Sequence, residues 1–205
     1  MESVPLSVPA GMTRKRGCAS LLIALVLGAA VGGIAGLIGG QTAGLVAGGV
    51  VAAFFLFLAW AAARRRLSLE GTTVVARTIG SKSVDLRTTD RIELMVSDVR
   101  GMRTISVLVA QGRRTINISL AVYSGTGGRE LGILPLRKLA DALAASENSA
   151  GLVFSQLLVA QLRAEARGEA AADRPLYRVA ETAPQGKLAQ RLSADAITRF
   201  VANLD

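Results

Sequence analysis

The sequence lacks histidine altogether and contains a single cysteine among its 205 residues. Without histidine, the chain has neither the commonest general base nor the commonest metal ligand. The lone Cys18 excludes a disulfide framework within the chain, and it has no partner for nucleophilic chemistry. We therefore predict that the protein is not an enzyme and that it holds no cofactor and no metal ion.

Aromatic residues are also scarce, at 4% of the chain, although the formal net charge is +9. Six of the basic residues flank one apolar run, and the remaining excess of positive charge is spread thinly. Nucleic-acid binding typically uses a clustered basic face with interleaved aromatic side chains, and the sequence has no such face. Nucleic acid is therefore not a predicted partner.

Charge is absent from residues 18–63, which form one continuous apolar run. As a single helix this run would be about 69 Å long, more than twice the roughly 30 Å hydrocarbon core of a bilayer. Its only strongly polar interruption is Gln41-Thr42, which stands among glycines near the midpoint. We therefore predict a membrane hairpin of two transmembrane helices, residues 19–39 and 43–63, joined by a turn at 40–42.

Basic residues stand on both sides of this run, whereas the turn has none. The positive-inside rule then places both termini in the cytoplasm, with residues 1–17 as a cytoplasmic tail, in a multi-pass protein of the inner (plasma) membrane. Trp60 lies where an interfacial aromatic residue is expected near the inner surface. The flanking basic residues are Arg14, Lys15 and Arg16 before the run, and Arg64, Arg65 and Arg66 after it.

A cleaved signal peptide is the alternative interpretation of the N-terminal third. A basic start, the apolar residues 21–27 and the small residues after them fit that pattern. Cleavage would remove the first span and still leave residues 67–205 in the cytoplasm. The sequence leaves both alternatives open.

Glycine recurs at every fourth position through the middle of the apolar run. Lipid supplies little hydrophobic drive for helix association, so helices in a membrane associate by close backbone approach, which glycine allows. We predict that these glycines pack the two helices together. The same faces would also join separate copies, so the alternative function is a small oligomeric pore or a transporter accessory subunit. The glycines are Gly28, Gly32, Gly36, Gly40, Gly44 and Gly48.

After residue 66 the hydrophobic period changes from helical to alternating. The clearest run is residues 115–123, and further β-rich runs cover 72–78, 83–87, 91–96 and 104–110. Pro135 can begin a helix, whose apolar stripe would cover the sheet. We therefore predict an α+β domain over residues 67–146, with an antiparallel sheet or small barrel of about six strands. The stripe consists of Leu136, Leu139, Ala140 and Leu143.

The element order of residues 67–146 resembles the bacterial pleckstrin-homology-like domain. The residues that carry this resemblance are Leu69-Glu70-Gly71 leading into Thr73-Val74-Val75, and Arg91-Ile92-Glu93-Leu94. A two-span hairpin before such a domain is similar to a class of uncharacterised membrane proteins from high-GC Gram-positive (actinobacterial) bacteria. Some pleckstrin-homology domains bind phosphoinositides through basic residues around their first hairpin. The resemblance thus implies lipid-headgroup contact for Arg77, Lys82 and Arg87, which lie in the corresponding stretch.

Residues 147–205 are predicted as a helical extension with a loosely ordered connection at 168–187. A stripe from Val153 to Leu162 indicates one helix, and Ser193 caps another. Together these patterns lead us to expect a membrane-anchored interaction or scaffolding module. Its expected partners are the lipid bilayer and either another protein or further copies of the same chain.

Overall fold

The computed structural model describes residues 3–8, 13–63, 66–78, 80–184, 186 and 188–203; for helix residues 13–24 and 62–63 it describes the backbone only. The chain divides into two compact units. One comprises residues 10–65, and the other comprises residues 1–9 together with 66–205. The helical unit is therefore inserted into the sequence of the second unit near its N-terminus.

The inserted unit is a helical hairpin of α1, Thr13–Gly39, and α2, Gln41–Ala63. Gly40 separates the two helices with a φ of +83°, a left-handed conformation that glycine adopts without steric cost. Its N–H donates to Gly36 O at 3.0 Å, which satisfies a carbonyl at the end of α1. The turn is thus one residue long. The predicted turn at 40–42 is too wide, because Gln41 and Thr42 belong to α2.

The first sheet of the second unit contains four antiparallel strands in the order β1-β2-β3-β4. They are β1, Ser3–Pro5; β2, Arg66–Glu70; β3, Thr73–Arg77; and β4, Ser81–Asp85. Residues 3–8 are therefore not the tail that the sequence predicts, since β1 pairs with β2 and Leu6 N–H donates to Leu67 O at 2.9 Å. Burial of Val4 and Leu6, at 3% and 1% exposure, stabilises this edge strand.

The second sheet contains five antiparallel strands in the order β8-β7-β6-β5-β9. They are β5, Arg91–Val99; β6, Met102–Gln111; β7, Arg114–Ser124; β8, Gly127–Glu130; and β9, Gln190–Leu192. The described residues thus hold nine strands in two antiparallel sheets, and seven of these strands lie between residues 66 and 130. The predicted α+β class with antiparallel strands is confirmed, whereas the prediction of one sheet is wrong. Three of the additional strands, β1, β8 and β9, have only three or four residues, too few to show an alternating period.

Four helices complete the second unit: α3, Ile133–Ala144; α4, Ser149–Ala166; α5, Pro175–Thr182; and α6, Ala194–Ala202. The predicted stripe of α3 is confirmed as buried, and it joins a core built from both sheets and α4. Ser193 caps α6 as predicted, because its Oγ accepts from Ala196 N at 3.3 Å. The C-terminal extension also adds β9 to the edge of β5.

The predicted loose connection at 168–187 is wrong for its central part. It contains a 3₁₀ turn, Ala171–Asp173, and then α5, which buries Leu176, Tyr177, Val179 and Ala180. Pro175 occupies the first helical position, where its missing N–H costs nothing. Gln161 of α4 caps the helix from outside, since its Oε1 accepts from Leu176 N at 3.0 Å. Tertiary contacts therefore stabilise a helix too short to form alone.

Candidate functional site

The two hairpin helices approach each other at four glycines. A Cβ built on Gly44 would lie 2.5 Å from Gly32 O, and one built on Gly48 would lie 2.8 Å from Gly28 O. A Cβ on Gly32 would in turn lie 2.8 Å from Gly44 O. No side chain fits at such distances, so the helices pack backbone against backbone, as the glycine spacing predicts.

The remaining two glycines of the predicted set differ from these four. Gly36 also faces α2, but a Cβ there would lie 3.6 Å from Gly44 Cα, an ordinary van der Waals contact. Gly40 forms the turn, and a Cβ on it would have nothing within 4 Å, so its predicted role in helix packing is wrong. Gly33 and Gly49 are equally open and lie outside the interface.

The helical unit exposes an extensive apolar surface. Among the described residues, one helical segment, Gln41–Ala61, is long and apolar enough to cross a membrane, with a mean hydropathy of 2.2 and 6% of its most apolar window buried. The apolar part of α1 whose side chains are described, Leu25–Gly39, is shorter. Exposed apolar patches of this kind mark surfaces that are covered by lipid or by protein.

The structure describes the side chains of only two of the predicted topology residues, Trp60 and Arg66. The side chains of Arg14, Lys15 and Arg16, together with Arg64 and Arg65, lie outside the described residues. Trp60 is 48% exposed, and its ring centroid lies 5.9 Å from that of Phe57. Arg66 is the first residue of β2 and is exposed.

The three basic residues predicted for headgroup contact do not form one cluster. Arg77 at the end of β3 and Lys82 near the start of β4 lie at the same end of the first sheet, in adjacent register positions. Arg87 follows β4 at the opposite end, where its N–H donates to Asp85 Oδ1 at 3.0 Å. At about 3.3 Å per residue, the five residues from Lys82 to Arg87 span roughly 17 Å.

Arg66, which the sequence marks as a topology residue, lies beside Arg77 in the first sheet. Arg66 and Arg77 are directly opposite in the β2–β3 register, so their side chains share one face of the sheet. Like charges in opposite positions repel, and the carboxylate of Glu70, 3.6 Å from Arg77, offsets only part of this. The end of the sheet that follows α2 is therefore positively charged.

A row of polar residues, which sequence analysis missed, crosses the second sheet. Asp98, Arg103, Tyr123 and Gly128 are directly opposite one another on β5, β6, β7 and β8, so they share one face. On β5 this is the face that buries Ile92, Leu94 and Val96. The alternation of residues 91–96, extended by two positions, would have placed Asp98 on the core side. The run Asp98-Val99-Arg100-Gly101 is also typical of a turn, and this concealed the placement.

Gly128 allows the Tyr123 ring to lie across β8, because a Cβ at this glycine would overlap the ring. The Tyr123 hydroxyl donates to Glu130 Oε1 at 2.6 Å, and Arg174 Nη1 donates to Glu130 Oε2 at 2.5 Å. Burial raises the pKa of Tyr123 well above its ordinary value, and the hydrogen bond to Glu130 raises it further. Tyr123 therefore remains a neutral donor at physiological pH.

No group of three or more aspartate, glutamate or cysteine side chains within the described ranges could hold a metal ion. No protein-family model, curated protein or solved structure matches the chain. The resemblance to a pleckstrin-homology-like domain and to actinobacterial membrane proteins therefore stays a prediction.

Proposed function

We propose that the protein is a non-enzymatic interaction or scaffolding module, held at the plasma membrane by its helical hairpin, with its β domain and both termini in the cytoplasm. One observation carries this proposal: β1 and β2, which precede and follow the hairpin, are neighbours in one sheet. Paired strands share one compartment, so the chain between them crosses the bilayer an even number of times. Two crossings, by α1 and α2, satisfy this condition.

Helix length and charge support these crossings. With 27 and 23 residues, α1 and α2 measure about 40 and 35 Å, enough for a hydrocarbon core of about 30 Å. The apolar surface that the hairpin exposes would be covered by lipid. The basic residues on both flanks favour the cytoplasmic side for both ends.

The pairing of β1 also favours retention of the first helix over signal-peptide cleavage. A cut after α1 would detach β1 from the chain that forms the rest of its sheet. Val4 and Leu6, both buried, would then leave the core. We expect the mature protein to keep its N-terminus.

The glycine contacts favour an anchor over an oligomeric pore. Gly28, Gly32, Gly44 and Gly48 already pack against the other helix of the same chain. These faces are therefore occupied and are not free to join copies. A transporter accessory role would need a different surface.

The proposal includes contact between the positively charged end of the first sheet and anionic lipid headgroups. Arg66 follows Ala63, the last residue of α2, by three positions in the sequence. Arg77 and Lys82 lie at the same end of the sheet. Headgroup contact is thus assigned to Arg66, Arg77 and Lys82, without Arg87, and each basic residue would contribute about 1 kcal/mol at an anionic surface.

Single-cysteine labelling tests the topology. In a Cys18→Ala background, Thr42→Cys should react with a membrane-impermeant maleimide from outside the cell, whereas Ser7→Cys and Asn203→Cys should react only after the cytoplasmic side is opened. Reaction of residues 42 and 203 from the same side would contradict the proposal. Intact mass of the purified protein should include residues 1–17, and its absence would support cleavage.

A flux assay separates the anchor from the pore. Liposomes that contain the purified full-length protein should retain trapped ions as well as protein-free liposomes do. Protein-dependent ion leakage would favour the pore instead.

A further inference from the structure

The polar row of the second sheet occupies positions where the core face should be apolar. Asp98 and Arg103 continue the buried faces of β5 and β6, with side chains 9% and 20% exposed. A partly buried ion pair loses much of its hydration, and an apolar pair of similar volume is often as stable or more stable. Departures from the apolar pattern of this kind are expected at functional sites.

The Asp98–Arg103 pair is also poorly optimised as a structural bridge. Arg103 Nε lies 3.6 Å from Asp98 Oδ2, beyond ordinary hydrogen-bond distance. Asp98 is further engaged by Gly101 N–H, which donates to its Oδ1 at 3.2 Å. Within the described part of the chain, the Arg103 guanidinium donates no hydrogen bond, although it carries five N–H groups.

A cavity of about 790 Å³ opens beside this guanidinium. Asp98, Arg103, Tyr123 and Tyr177 are among the residues that line it. The two tyrosine rings meet edge to face with centroids 5.0 Å apart, and Tyr177 is fixed by its hydroxyl, which donates to Gly125 O at 3.1 Å. The volume lies within the range of about 300–1,000 Å³ that small-molecule sites occupy.

We propose that this cavity binds a small organic anion, with the ligand's carboxylate or phosphate oxygens on the Arg103 guanidinium and its apolar or aromatic body against Tyr123 and Tyr177. The planar guanidinium matches the geometry of both oxyanions. Arg100, exposed at the β5–β6 turn, adds a second positive charge at the rim. This inference does not rest on the proposed membrane anchor.

The carboxylates of Asp98 and Glu181 also line the cavity, and they limit the charge of the ligand that it can bind. The ligand oxyanion competes with Asp98 for Arg103, so Asp98 weakens binding while it keeps the guanidinium in place. Glu181 lies on the α5 side of the cavity and repels a second negative charge. The site should therefore prefer a ligand with one oxyanion group.

Ligand-observed NMR on the full-length protein in a neutral detergent provides the test. The probes are benzoate and phenyl phosphate, which separate carboxylate from phosphate recognition. Phenol is the counterpart without the oxyanion, and methyl phosphate is the counterpart without the ring. We expect saturation transfer to benzoate or phenyl phosphate, and little to phenol or methyl phosphate. Equal transfer to phenol would overturn the proposal.

Two variants give opposite expected changes. Arg103→Gln should weaken binding of the preferred probe about tenfold, since a charge-assisted bidentate pair is lost. Asp98→Asn should tighten it about threefold, because the competing carboxylate is removed. Arg113→Gln, at the β6–β7 turn on the opposite end of the sheet, serves as the control and should leave affinity unchanged.

Asp98→Asn keeps the proposal falsifiable if Arg103→Gln fails to fold, because an unfolded domain cannot bind more tightly. Weaker binding by a folded Asp98→Asn variant would overturn the proposal, since it would mean that the carboxylate contacts the ligand. Equal affinity of a folded Arg103→Gln variant would also overturn it. Thermal unfolding of each variant establishes whether it is folded.

Discussion

The helical hairpin and the β domain are each stabilised internally, and they are stabilised in opposite ways. At the hairpin interface, side chains are missing, and Gly32 and Gly44 bring two backbones into direct contact. In the β domain, large side chains such as Leu120, Ile118 and Leu136 are fully buried and fill the space between the sheets and the helices. The hairpin should therefore fail when atoms are added, and the domain when atoms are removed.

The proposed location of the hairpin in the bilayer would account for this difference. Water drives apolar side chains into a core, so bulk is stabilising in the domain. An apolar surrounding supplies no such drive, and close backbone approach has to supply dispersion contacts instead. Changes to the two units should therefore differ in kind as well as in size.

Removal of β1 should cause the largest loss. A fragment of residues 66–205 lacks Val4 and Leu6, and burial of Leu6 alone is worth about 2–5 kcal/mol. A domain of this kind has about 5–15 kcal/mol in total, so the fragment should be marginal or unfolded. A matched variant joins residue 8 to residue 66 through a short glycine-containing loop, which suits two adjacent antiparallel strands.

We expect this loop-closed variant to be soluble and to unfold cooperatively in urea at a higher concentration than the fragment. Circular dichroism during urea unfolding measures both. Equal stability of the two proteins would mean that β1 contributes little.

Truncation of one buried side chain next to β1 should lower the free energy of unfolding less than removal of the whole strand. Leu6→Ala should lower the free energy of unfolding of the β domain by about 2–5 kcal/mol. Ser7→Ala is the control, because Ser7 is exposed, and it should change stability by less than about 0.5 kcal/mol. Urea unfolding of the loop-closed variant gives both values. A small effect of Leu6→Ala would mean that neighbouring side chains relax into the space left by the leucine.

Addition of one methyl group should break the hairpin at some glycines and not at others. Gly44→Ala places a Cβ within 3.0 Å of three backbone atoms of α1, and we expect it to destabilise the helix pair by about 2–3 kcal/mol. Gly33→Ala and Gly49→Ala meet nothing within 4 Å and should be neutral. Resistance of the full-length protein to unfolding by a denaturing detergent measures the three variants.

Gly36→Ala should lie between these extremes. The exposed Leu25→Ala should be close to neutral, since it removes atoms from a surface where bulk contributes little. If all the glycine variants behave alike, the spacing reflects composition and carries no interface.

A modest effect is expected at Tyr123. Tyr123→Phe keeps the ring and removes one hydrogen bond to Glu130, so it should cost about 1–2 kcal/mol near neutral pH. The pKa of Tyr123 is raised in the folded state, so above pH 10 the unfolded chain loses this proton while the folded chain keeps it. Folding stability then falls with rising pH.

The stabilisation that comes from the raised pKa of Tyr123 is fully present below about pH 10. Above about pH 10 this part of the folding free energy decreases by about 1.4 kcal/mol per pH unit. Tyr123→Phe should lack this component, so its deficit should shrink between about pH 10 and pH 11.5. Urea unfolding over that range measures the slopes. Parallel slopes for the two proteins would show that the proton on Tyr123 is not linked to folding.

Sequence reasoning succeeded where a period extends over many residues. The alternation from Ile116 to Leu120 and the stripe from Leu136 to Leu143 each identify their element, strand and helix. A register shift after Leu120 then reverses the faces, so Tyr123 is buried where the alternation would have buried Val122. It failed for β1, where three residues and a proline carry no period, and for α5, which depends on a cap from Gln161. Such elements are stabilised by partners distant in sequence.

The candidate sites show the same limit. Spacing identified the packing glycines, yet it could not separate Gly40, because the fourfold interval continues unchanged through the turn. The row of Asp98, Arg103 and Tyr123 depends on the registers of three strands, which the sequence does not specify. Only the odd placement of Asp98 at the end of an alternating run signalled it.

The insertion of the hairpin between β1 and β2 has a consequence for synthesis of the chain. About 60 residues separate the end of β1 from the start of β2, and at about 5–20 residues per second they take roughly 3–12 seconds to translate. The first strand to leave the ribosome therefore has no partner while both helices are made. Its pairing with β2 can begin only after the whole hairpin has been translated, and β3 and β4 then extend the sheet on the other side of β2.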